Sequence, residues 1–143
     1  GRCDADQGRH GHAMKLRALL AAVIVLFTAS ACGVCTSVAT SHGYVVAIVY
    51  PFLDARATTD PVFARTYYPA KRLTEDSFAA FSKACATGGK VDRDLLALVA
   101  GLVADMLDLY GSVQSKELSK EMPKWREHAI KMRQVEAEAL EVK

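Results

Sequence analysis

The chain has 143 residues, room for one domain, with 51% apolar residues and a net charge of +2 at pH 7. Arg2, Arg9, Lys15 and Arg17 all precede an apolar block, and from Cys32 onward 14 Lys and Arg face 14 Asp and Glu. That neutral remainder gives no electrostatic ground for holding nucleic acid or an anionic bilayer, and the whole-chain excess of positive charge belongs to the N-terminal segment.

Residues 1–13 contain no Met and read as an extension upstream of the native start, so they are set apart from the fold. Residues 14–31 have the three-part layout of an export signal. Lys15 and Arg17 form a basic head, Leu16 and Ala18 to Phe27 an apolar core, and Thr28-Ala29-Ser30-Ala31 a small-residue end before Cys32. Ala29-Ser30-Ala31-Cys32 resembles the lipobox of bacterial lipoprotein signals, with Ala29 where that family favours Leu. The resemblance covers about twenty residues and implies diacylglycerol on the Cys32 sulfur, cleavage before Cys32 and acylation of the new N-terminus. Gly33 after the cysteine implies, by the same resemblance, the periplasmic face of the outer membrane.

Two other readings stay open. Ala29-Ser30-Ala31 also suits an ordinary signal peptidase, which would release the chain, and an uncut Leu16 to about Val38 would serve as an inner-membrane anchor. All three place the rest of the chain outside the cytoplasm, because the cations lie N-terminal to the apolar segment.

Residues 32–54 are expected to form a tether and an apolar segment, with Thr36 to Ser41 small and polar. Gly43 to Leu53 is rich in β-branched residues and stopped by Pro51; with no partner strand in the sequence, it reads as a short helix or a buried extended segment. The domain proper is expected over 55–143, all-α, with three or four helices. Asp60-Pro61 caps a short helix that Tyr67-Tyr68-Pro69 breaks near Thr66. Thr74 caps the next, which places Phe78, Phe81 and Cys85 on one face and ends at Gly88-Gly89.

Asp92 to Tyr110 gives the clearest helix. Its apolar face holds Leu95, Val99, Leu102, Val103, Met106 and Tyr110, opposite Asp94, Gly101, Asp105 and Asp108. The uncharged stretch Leu95 to Ala104 is too short to cross a bilayer. Gly111 stops this helix. The last helix follows, with Ser119 as cap, Pro123 in its first turn, a Glu127–Lys131 pair and a stripe through Met122, Trp125, Ala129, Met132, Ala139 and Leu140 that Glu136 interrupts.

Few constellations carry chemistry. Cys32 and Cys35 have the spacing of a thiol redox pair, but they stand at a cleavage site rather than at a helix start after a strand. Export allows a Cys35–Cys85 bridge as a hypothesis, and the competing reading is a buried apolar Cys85 with a free Cys35. His42 and His128 read as isolated, and a metal site would need Cys35, His42 and Cys85 to converge. The three aspartates read as a solvated face. No metal, cofactor or catalytic residue is assigned.

The resulting expectation is a non-enzymatic envelope lipoprotein: lipidated at Cys32, membrane-tethered, and docking a protein partner through Trp125, Ala129 and Met132. The alternative is an exported or anchored helical module that holds a small apolar ligand between its helices.

Overall fold

The computed structural model describes residues 33–88, 90–114 and 122–141. The readings made on residues 1–13, on the signal at 14–31, on Cys32 and on Ser119 lie outside them. The described residues form four helices and no strand: α1 (Gly33–Thr59), α2 (Pro61–Ala86), α3 (Arg93–Gln114) and α4 (Lys124–Glu141). All four contribute to one core, from Val38 and Leu53 through Phe81 and Leu107 to Met132.

The tether and the separate apolar segment expected over 32–54 are corrected by α1. Thr36 to Ser41 is helical, with Val38 and Ser41 buried, and the helix runs on without a break to Thr59. Pro51 does not stop it. Over Val45–Val49 the helix widens to a π turn, in which the Tyr50 N–H donates to the Val45 carbonyl five residues back. The wide turn lies directly before Pro51, whose ring would otherwise press on the carbonyl one turn earlier. Packing on both sides of the turn, by Val45, Val49, Tyr50 and Leu53, then outweighs the β-branched preference for strand.

Asp60 turns the chain in one extended residue, accepts the Phe63 N–H on Oδ1 at 3.1 Å and leads into Pro61, as its sequence indicates. The expected break at Tyr67-Tyr68-Pro69 is absent, because α2 continues through Pro69 to Ala86. Pro69 sits on the exposed face, and the buried residues on either side of it, Tyr67 and Thr74, hold the helix together. Thr74 is therefore no cap. Its hydroxyl donates to the Ala70 carbonyl from a buried position. Gly88 closes the turn after α2 at φ 68°, which an L side chain adopts only under strain.

The Cys35–Cys85 disulfide joins the start of α1 to the end of α2, so the two run antiparallel. Phe52 meets Tyr110 edge-on at 5.2 Å, near the C-terminal ends of α1 and α3, which are parallel. Arg133 reaches Asp105 and Asp108, and Trp125 lies on Gly111, so α4 runs back against α3. His128 also touches Ser41 and Tyr44, which brings α4 beside α1. The result is an up-down-up-down bundle.

α3 is buried over more of its circumference than one stripe allows, because α1, α2 and α4 all pack on it. Gly101, expected on the polar side, is buried beneath Glu136 of α4, and Ala97, Ala104 and Leu107 are buried as well. Gly111 does not stop α3, which continues to Gln114 with the Trp125 ring laid over that glycine. In α4, Glu127 pairs with Lys124 at 3.4 Å rather than with Lys131.

The two glycines predict opposite responses. A Cβ at Gly101 would meet the far end of the flexible Glu136 side chain, whereas one at Gly111 would meet rigid ring carbons of Trp125. Gly101→Ala is expected to stabilise by up to about 1 kcal/mol through helix propensity. Gly111→Ala is expected to destabilise by about 1 kcal/mol net, since overpacking outweighs the same gain. Urea unfolding of the two variants reads the sign directly.

Candidate functional site

The richest set of polar side chains lies along the α1–α2 seam. α1 contributes His42, Tyr50 and Asp54, and α2 contributes Tyr67, Lys71 and Glu75. His42, 7% exposed, stacks on Phe78 at 3.6 Å between ring centroids and donates from Nε2 to Glu75 Oε1 at 2.7 Å. The Tyr50 hydroxyl donates to the same oxygen at 2.7 Å. One turn further along, Lys71 Nζ donates to both Asp54 oxygens, at 3.0 and 2.9 Å, and lies 4.7 Å over the Tyr50 ring. The Tyr67 hydroxyl donates to Asp54 Oδ1 at 2.7 Å.

Burial first, and then the hydrogen bond to Glu75, drives the Tyr50 hydroxyl far above its ordinary value; burial and Asp54 do the same to Tyr67. Both phenols stay protonated donors throughout the physiological range. They fix how α1 sits on α2 and supply neither a base nor a nucleophile. Each carboxylate accepts from partners within the chain, and both carboxylate side chains stay 40% exposed at the edge of the seam.

His42 is thus not isolated, and neither is His128, whose Nδ1 lies 3.0 Å from the Ser41 hydroxyl with its ring 4.8 Å from that of Tyr44. Spacing carried part of this signal: Tyr67, Lys71, Glu75 and Phe78 recur on one face of a continuous α2. A helix broken at Pro69 hides that face, and a tether over 32–54 removes its partners.

Burial holds His128 below its ordinary value of 6.5. The folded chain then binds this proton more weakly than the unfolded chain. The stability linked to neutral His128 is full above pH 6.5 and is lost as the pH falls below it. Thermal melts at pH 7 and pH 5 should show a drop in Tm, with part of that drop missing in His128→Asn.

The residues expected to face a partner need correction. Met132 is fully buried and Ala129 4% exposed, while Trp125 is half-buried against Gly111. The stripe packs on α3 of its own chain, because an apolar face meets the nearest apolar helix in the same molecule first. What α4 leaves outside is an open groove of about 580 Å³ edged by Trp125, Arg126, Ile130, Arg133 and Ala137.

Asp105 and Asp108 are exposed, but both accept hydrogen bonds from Arg133, which also lies 3.4 Å from Glu136. Cys35 and Cys85 are bonded to each other, so neither is available to a metal or to a thiol pair with Cys32. Among the described residues no group of three His, Cys, Asp or Glu side chains converges. Val45, Leu53, Phe81, Val103 and Leu107 fill the core between α3 and its neighbours.

α1 and α3 are each long and apolar enough to cross a membrane by length and composition. For α3 this goes beyond the ten-residue stretch Leu95 to Ala104, because the whole helix of 22 residues counts. No protein-family model, curated protein or solved structure matches the chain.

Proposed function

We propose that the chain is a small cell-envelope lipoprotein, held by lipid on Cys32 at the periplasmic face of the outer membrane, whose bundle docks a protein partner without catalysing a reaction. The observation that carries the reading is the Cys35–Cys85 disulfide, three residues beyond the lipobox cysteine. Such bonds persist in oxidising compartments outside the cytoplasm. The resemblance of Ala29-Ser30-Ala31-Cys32 to a lipobox supplies the tether. The non-enzymatic part is supported by the seam, where the polar groups satisfy one another between packed helices instead of lining a cleft.

Cell fractionation of the full chain and of Cys32→Ser tests the proposal. The wild type should sediment with membranes and Cys32→Ser should lose that retention. Equal retention of the variant would favour the uncut anchor, and recovery of the wild type in the cytosol would end the reading.

A further inference from the structure

We infer that one end of the bundle rests directly on the lipid surface that carries the anchor, so that the membrane is a docking partner of defined orientation; this rests on the lipid-tether reading above. The argument begins with the shortness of the leash. Cys32 immediately precedes Gly33, the first described residue of α1, and α1 is fastened to α2 three residues after Cys32. Three residues span at most about 10 Å, so an acylated sulfur cannot leave the vicinity of that disulfide. A flexible linker, which would let the bundle tumble, has no room.

The same end gathers the start of α1 and the end of α4, which share a groove lined by Gly33, Val34, Ser37, Lys131, Val135 and Glu138, and the end of α2 with the turn that follows it, bonded to α1 through Cys85. Its charges are uneven by a small margin. Lys83, Lys90 and Arg93 are exposed on the α2–α3 side with no ion pair among the described residues, beside the exposed Asp92 and Asp94, three cations against two carboxylates for a net +1. On the α4 side Glu138 and Glu141 stand with the exposed Lys131, one cation against two carboxylates for a net −1. The mature chain is neutral overall, so the tether supplies the attachment and this local imbalance sets the tilt, with the α2–α3 edge toward anionic headgroups. α1 is 27 residues long, about 40 Å, and carries its far end, with the exposed Val62 beyond it, well clear of the bilayer.

Trp125 is the one tryptophan of the chain and lies beside Gly111, about 27 Å along α3 from Arg93. Acylated chains are reconstituted into vesicles containing phosphatidylglycerol and brominated phosphatidylcholine. Three single-tryptophan forms are compared: the wild type, Thr87→Trp with Trp125→Phe, and Val62→Trp with Trp125→Phe. Thr87→Trp should be quenched several-fold more than Trp125, and Val62→Trp hardly at all. Reversing Lys83, Lys90 and Arg93 to Glu should reduce the Thr87→Trp quenching and leave membrane retention intact. Intact mass of the same samples separates the two ideas. An acylated chain quenched equally at all three positions, or equally after charge reversal, overturns the orientation alone. A chain without acyl mass overturns both the tether and the orientation.

Discussion

Breaking the Cys35–Cys85 disulfide should lower the stability of the bundle by about 4 kcal/mol. The bond closes a loop of 50 residues, and the loss of chain entropy from the unfolded state for a loop of that length gives this figure. Both cysteines are only half-buried, so a thiol reductant reaches them in the folded chain. With an unfolding slope of about 1–2 kcal/mol per molar urea, the midpoint should fall by roughly 2 M or more. Cys35→Ala with Cys85→Ala should behave like the reduced wild type and no longer respond to reductant. Superimposable urea curves with and without reductant would remove the disulfide from any account of what holds α1 on α2.

Met132→Ala carries the second large effect. Met132 is fully enclosed between α4 and the rest of the core, so truncation leaves a cavity and should cost about 2–5 kcal/mol. Ile130, two residues earlier and 43% exposed, provides the control: Ile130→Ala should change stability by no more than about 0.5 kcal/mol. If the Trp125, Ala129 and Met132 stripe were a surface kept for a partner, the two substitutions would be alike in the isolated chain and would differ only in complex formation. Urea unfolding of the free protein decides between these, because a core role shows without any partner present.

The contrast between α3 and α1 explains what the sequence makes legible. α3 announces itself by a long apolar period without Pro, and the turns on either side of α2 by Asp60-Pro61 and Gly88. Each of these signals is local. α1 and α2 each contain a proline whose local effect is to end a helix, and in both the surrounding packing prevails. A π turn ahead of Pro51 has no sequence signature that composition reveals. The candidate site was harder still. His42 and Glu75 are 33 residues apart, and Asp54 and Lys71 are 17 apart. Such pairs become visible only once both helices are known to be continuous and antiparallel.

The direction of the α4 stripe illustrates a different limit. An amphipathic pattern states that a face will be buried and does not say against what. Gly101 and Gly111 at the α3 positions that α4 covers were the available hint, since small residues let two helices approach closely. The aspartates of α3 lay on the solvated side as their periodicity indicates, with Arg133 of α4 closing over two of them. Exposed pairs of this kind add little stability, and they fix the register of α4 on α3.

Intact-mass analysis of the membrane-extracted chain, alkylated before and after reduction, tests the whole account in one sample. The expected species starts at Cys32, carries acyl mass, and takes up alkylating reagent at Cys35 and Cys85 only once reduced. An unacylated chain whose Cys35 and Cys85 react without reductant would contradict both the compartment and the tether on which the account rests.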